Sequence, residues 1–155
     1  MSSAAPEVFN HGQPPYIGAL MRIGLEVARS RILSALGEAG MGDLDHSYLP
    51  LFQYPPCDGQ RPTEIARKLH MTKQALNHLL GQLERLGYVE RRSEPGSRQS
   101  TVHYTGRGWK VIEVTLTAMQ QLEADWIGKI GQSRFADFKA AMKELTGSAS
   151  ASDTL

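Results

Sequence analysis

The chain has 155 residues, 41% of them hydrophobic and 21% charged, a balance that suits one globular unit able to bury a core. Its formal net charge is +1, and a single cysteine, Cys57, excludes an internal disulfide framework. No run approaches the roughly 18 consecutive apolar residues of a membrane span, and the start, MSSAAPEVFNHGQPP, lacks the basic and apolar regions of a secretory signal, so the expected compartment is the cytoplasm.

Residues 1–15, with Pro6, Pro14 and Pro15 among small polar residues, are expected to form a flexible arm. Helical periodicity then runs over 16–40, where Ile17, Leu20, Met21, Gly24, Ala28, Ile32 and Ala35 recur at spacings of three and four. Leu25, Leu33 and Leu36 widen that apolar surface beyond one stripe, as in a helix that touches both its own core and a partner. Gly40 and Gly42 close it. In residues 45–54, Pro50 limits an apolar segment to a brief helix, and Pro55 to Gly59 is a turn cluster.

A short helix is expected from Pro62, a residue suited to the first helical position, with Glu64 favoured in the first turn by the helix dipole. His70 and Met71 form a turn, and Thr72 is a good N-cap for a second helix that buries Leu76, Leu79, Leu80, Leu83 and Leu86 and ends at Gly87. Strands over 88–92 and 101–104 flank a Glu94-Pro95-Gly96-Ser97 turn. A long helix over 106–130 carries Trp109, Ile112, Leu116, Met119, Leu122 and Trp126. A last one over 133–145 is expected to bury Phe135, Phe138 and Met142, and the small polar tail 147–155 to be disordered.

The near-neutral total hides an asymmetry. Between Arg61 and Lys110 stand ten bases against four acids, a surplus of six that leaves the remainder of the chain at −5. Charge gathered in one segment is the footprint of a face that meets a polyanion.

Two helices joined at His70-Met71 and followed by a β-hairpin describe a winged helix-turn-helix. The stretches PTEIARKL and MTKQALNHLLGQLERLGYVERR, with the hairpin leading into Thr105-Gly106-Arg107-Gly108, resemble the MarR-type transcriptional regulators. The fold expected is mainly α with a small β-hairpin wing, one domain over 16–146. Within it, 45–105 would form the DNA-binding region, and 16–40 with 106–146 would form dimerisation helices. The resemblance implies a homodimer with one winged unit reading each half of a pseudo-palindrome in double-stranded DNA, and a repressor whose occupancy blocks polymerase.

Roles for individual residues follow from the face opposite the leucines. Thr72, Lys73, Gln74, Asn77 and His78 occupy the outer side of the first two turns. Gln74 and Asn77 can each make paired hydrogen bonds to adenine in the major groove, and Lys73 can meet a guanine edge or a phosphate. Thr72 and His78 are expected at phosphates. A solvated surface would more often carry Glu–Lys pairs than these short polar side chains. Arg98 is the candidate for a narrow minor groove, although the acidic residue that the family often places before this arginine is here Ser97. Arg91 and Arg92 flank the hairpin base, where phosphate contact and plain solvation are equally open.

The resemblance also implies a small-molecule effector. Tyr16, Leu20, Tyr48, Phe52 and Trp109 are the residues expected to line a cleft between the dimer helices and the reading unit, with core packing as the competing reading for each. Cys57 has no cation nearby in sequence and reads as a small packing residue. The five histidines lack zinc spacing, and no cofactor motif, nucleophile–base pair or carboxylate pair suggests an enzyme. The alternative to a regulator is a winged-helix protein-interaction module without DNA-binding activity.

Overall fold

The computed structural model describes residues 15–93 and 95–147. The arm expected over 1–15 and the tail expected over 147–155 fall, apart from Pro15 and Gly147, outside the described residues. In chain order the elements are α1 (Ile17–Glu38), a single 3-10 turn (Leu49–Phe52), α2 (Pro62–Lys68), α3 (Lys73–Arg85), β1 (Val89–Ser93), β2 (Ser100–Tyr104), α4 (Gly106–Ile130) and α5 (Gln132–Thr146). No helix among the described residues is long and apolar enough to cross a membrane.

The winged unit forms around the leucine stripe of α3. Leu76, Leu79, Leu80 and Leu83 are all buried, and they share one core with Ile65 and Ala66 of α2, Val89 and Val102 of the hairpin, and Val111 and Ile112 of α4. Between α2 and α3 the chain turns through His70, the one non-glycine residue with positive φ among those described (53°). At the other end Gly87 takes φ 79°, letting the Tyr88 N–H reach back to the Leu83 carbonyl at 2.9 Å. The chain therefore leaves the helix directly into β1. That strand pairs antiparallel with β2, from Val89 opposite Tyr104 to Ser93 opposite Ser100. Gln60 adds a short third edge by bridging to Val102.

Two aromatic residues at the root of the wing join this unit to the long helices. The Tyr104 hydroxyl donates to the Leu51 carbonyl and accepts from the Cys57 N–H at 2.8 Å, tying the Pro-rich segment to β2. The Tyr88 hydroxyl donates to Asp43, which also pairs with Arg107 at 3.0 Å, and the Arg107 guanidinium lies 4.2 Å above the Tyr88 ring. Burial holds both phenols well above the ordinary range, so both are neutral donors at neutral pH.

The long helices behave differently from their periodicity. In α1 only Ile32 and Leu36 are buried, while Ile17, Leu20, Met21, Ile23, Leu25 and Val27 are exposed. On α4, Trp109 and Leu116 are about half exposed. On α5 only Phe135 is buried, so the expected burial of Phe138 and Met142 is corrected: Phe138 is exposed and Met142 is partly covered. One chain supplies α1, α4 and α5 with one another as partners, and that covers only one side of each.

The junction between wing and long helix has no spare room. A Cβ on Gly108, in the first turn of α4, would lie 2.1 Å from the Tyr88 carbonyl oxygen, and that oxygen also accepts from the Thr105 N–H. Gly108→Ala is expected to cost about 2–3 kcal/mol, because the obstacle is backbone that cannot swing aside. Gly106→Ala, where a Cβ meets nothing within 4 Å, should be neutral or slightly stabilising. Thermal unfolding followed by circular dichroism measures both, and equal melting temperatures for the two variants would contradict the clash.

Candidate nucleic-acid interface

The outward face of α3 is set by its leucines. Thr72 caps the helix, its hydroxyl accepting from the Ala75 N–H at 3.1 Å, which fixes where the first turn begins. Lys73, Gln74 and His78 are then exposed and Asn77 is half-buried on the flank nearer the wing. The hairpin stands beside this flank. Between them lies a concave, polar cavity of about 360 Å³, bounded by Arg61 and Thr63 at the start of α2, Lys73 and Asn77 on α3, and Arg91 and Arg98 on the wing.

The basic surplus of the segment is not spread evenly over that face. Arg91 lies 3.2 Å from Glu84, Arg92 pairs with Glu90, Arg107 with Asp43, and Lys110 with Glu113 at 2.9 Å. These four bases are already balanced within the chain. Arg61, Lys73 and Arg98 are exposed and form no ion pair among the described residues, and all three border the cavity. Of the segment's six bases outside any ion pair among the described residues, three thus meet where two helix starts and the wing converge, an arrangement suited to phosphate oxygens, while Arg67, Lys68 and Arg85 lie elsewhere on α2 and α3.

Of the residues singled out from the sequence, Lys73, Asn77, Arg91 and Arg98 meet around this cavity, and Thr72, Gln74 and His78 continue the same outer surface of α3. Arg92 projects from the other face of β1, held by Glu90. Arg91 is not at a free hairpin base: its guanidinium lies against α3, donating to the side chain and the carbonyl of Asn77. Arg61 and Thr63 were missed. Their only sequence signal is position, since a helix-turn-helix brings the start of its first helix close to the start of its second.

The five residues expected to share an effector cleft do not line one cavity. Tyr16 is 81% exposed, Tyr48 is buried with its hydroxyl donating to Gln82, and Trp109 packs edge-to-face with the Tyr104 ring, centroids 5.2 Å apart. Leu20 borders an apolar cavity of about 550 Å³ between α1, α4 and α5. Phe52 borders a separate one of about 340 Å³ between α1, α4 and the Tyr54–Pro56 segment. Helical spacing places residues on faces, but which faces oppose one another is a matter of packing. The smaller cavity holds two polar groups without hydrogen-bond partners, Nε of Arg29 and Oγ1 of the buried Thr115. Among the described residues no group of three metal-ligating side chains occurs.

Comparison with known proteins agrees with this geometry. Residues 55–100 match the MarR family model, bearing out the resemblance read from the sequence. Among solved structures, MarR aligns over 90% of this chain and 92% of its own, with 22% identity and a TM-score of 0.70. The S. aureus MepR–DNA complex aligns over 88% of this chain and 99% of MepR, with 19% identity and a TM-score of 0.64. A Mycobacterium tuberculosis MarR family protein in complex with salicylic acid aligns over 86% and 98%, with 25% identity and a TM-score of 0.61. No curated protein sequence matches the chain. The fold is the winged-helix fold of MarR structures, and these likenesses support a DNA-binding transcription regulator.

Cys57 is 1% exposed, and burial pushes its thiol above the ordinary range despite the opposing pull of Lys68, a nearby cation the sequence order concealed. Its reaction with a thiol reagent at pH 8 should therefore track global unfolding and take at least about a hundred times longer than in denaturant. Labelling of the native protein as fast as the unfolded chain would contradict that assignment.

Proposed function

We propose that this protein is a cytoplasmic, sequence-specific double-stranded DNA-binding regulator that acts as a homodimeric repressor on a pseudo-palindromic operator. The observation that carries the proposal is the convergence of Arg61, Lys73 and Arg98, whose side chains form no ion pair among the described residues, beside an α3 face made of Gln74, Asn77 and His78. The bases would draw in the phosphate backbone and the short polar side chains would read base edges in the major groove. Dimerisation is supported by the exposed apolar surfaces of α1, α4 and α5, which one copy leaves uncovered. Two reading helices so joined would lie about one helical turn, roughly 34–36 Å, apart.

Selection of bound duplexes from a randomised pool is expected to return a pseudo-palindrome. The same protein should lose at least about tenfold in affinity between 50 and 200 mM salt, as counterions compete for the phosphates. Gln74→Ala should reduce the preference for the selected duplex over a random one by about five- to tenfold, leaving random binding unchanged. Equal loss on both duplexes would remove Gln74 as a base reader. Failure to retard any duplex at low salt would favour a protein-interaction module instead.

The effector site of this reading is the smaller cavity rather than a cleft lined by Tyr16, Leu20, Tyr48, Phe52 and Trp109. Its apolar walls, with the unpartnered Arg29 Nε and Thr115 hydroxyl, suit a small aromatic carboxylate. Occupancy would wedge α1 and α4 against the segment leading into α2 and so alter the separation of the reading helices. Salicylate, the ligand in one structural relative, is the probe. Calorimetric titration should show binding that Arg29→Gln weakens by about tenfold or more, and unchanged affinity in that variant would exclude the arginine.

A further inference from the structure

We propose that Arg91 sets sequence preference indirectly, by holding Asn77 as a hydrogen-bond donor and so turning its choice of base from adenine to guanine. The inference rests on the DNA-reading function proposed above and concerns how one of its readers is aimed.

Arg91 sits in β1 opposite Val102 of β2, so the sheet fixes where its side chain departs. From there it spans two turns of the recognition helix. Nη1 donates to Asn77 Oδ1 at 3.3 Å, Nη2 donates to the Asn77 backbone carbonyl at 3.4 Å, and Nε lies 3.2 Å from Glu84 Oε2. Asn77 and Glu84 are seven residues apart, which places them on the same flank of α3, the one turned toward the wing. With Glu84 balancing its charge and its fork engaged on the helix, Arg91 is a poor candidate for a phosphate contact, although it borders the basic cavity.

The consequence lies in the chemistry of the amide. A guanidinium has donors only, so the Asn77 atom facing Arg91 must be the oxygen, and the NH2 group is the end left without a hydrogen bond among the described residues. Reading adenine in the usual paired way requires an asparagine to offer both ends, its oxygen to the adenine amino group and its NH2 to N7. Here Arg91 already occupies one of the oxygen's two lone pairs and ties that end of the amide to the wing, so the oxygen is the less available end. The end left wholly free for the groove is a donor group, and the edge with two adjacent acceptors is that of guanine, at N7 and O6. Gln74, exposed one turn earlier with no side-chain hydrogen bond among the described residues, keeps both ends of its amide free. Two amides that look equivalent in sequence are thus given different tasks by one arginine on the wing.

The test compares selection from a randomised duplex pool by the wild type, Asn77→Ala, Arg91→Ala and Arg91→Lys. The base pair whose preference disappears in Asn77→Ala identifies the position Asn77 reads, and guanine is expected there with the wild type. Arg91→Ala should shift that position toward adenine or to no preference, with the ratio of selected to random affinity falling about tenfold. Arg91→Lys should not restore it, because an ammonium is a point charge without the planar fork. In the Asn77→Ala background Arg91→Ala should produce no further fall in the ratio.

Three results would overturn the inference while leaving the regulator reading intact. They are adenine at the Asn77 position with the wild type, equal weakening on selected and random duplexes in Arg91→Ala, or rescue by lysine with the salt dependence of a phosphate contact. The first needs only the wild type and Asn77→Ala, so it decides the matter even if Arg91→Ala does not fold. A wild type with no preference among duplexes would instead sink the regulator reading, and this inference with it.

Discussion

The leucine stripe of α3 is the constraint on which the rest depends. Leu76, Leu79, Leu80 and Leu83 are buried, and the four together hold the helix in one rotational setting. Turning it by a single residue, about 100°, would drive polar side chains into the core and leave leucines in water, at roughly 1.5–3 kcal/mol for each large apolar side chain displaced. The outward orientation of Lys73, Gln74 and His78 is therefore enforced by what lies behind them. No contact on the outer face is needed to maintain it, which leaves those side chains free for a ligand.

The same core is shared with the long helices, so the winged unit is not an independent body on a tether. Gly108 brings the first turn of α4 against the Tyr88 carbonyl, and Tyr104 binds the Leu51 and Cys57 backbone to the wing root. Asp43, Tyr88 and Arg107 add a second tie between the loop after α1 and the start of α4. A displacement between α1 and α4 would thus reach β1 and α3 through packed backbone and short hydrogen bonds. The smaller cavity opens between those two helices, where Arg29 and Thr115 carry polar atoms that the protein leaves without partners. Buried groups of that kind are costly, and they are found where something else completes them.

Charge shows the same division between sum and place. Ten bases against four acids in one segment indicated a face for a polyanion, yet four of the ten are balanced within the fold by Glu84, Glu90, Asp43 and Glu113. Of the other six, Arg61, Lys73 and Arg98 border one cavity although they come from three parts of the chain that its order separates. Arg91 illustrates the point most sharply. In sequence it is one of two adjacent arginines on a strand, but alternation sends it to α3 and its neighbour to the opposite face.

Local order determined a great deal here. Period-3.6 spacing, Thr72 as a cap, Pro62 at a helix start and Gly87 at a helix end act over a few residues, so every helix and both strands were legible, as was the exposed polar face of α3. Relations between elements were not. Whether Tyr16, Leu20, Tyr48, Phe52 and Trp109 would share a cleft, whether Phe138 would be covered, and that Arg91 would grip Asn77 all depend on which faces are brought together. Residues far apart in the chain acquire those relations only when the core closes, because burial rewards the total fit of all elements and assigns no partner to any residue beforehand.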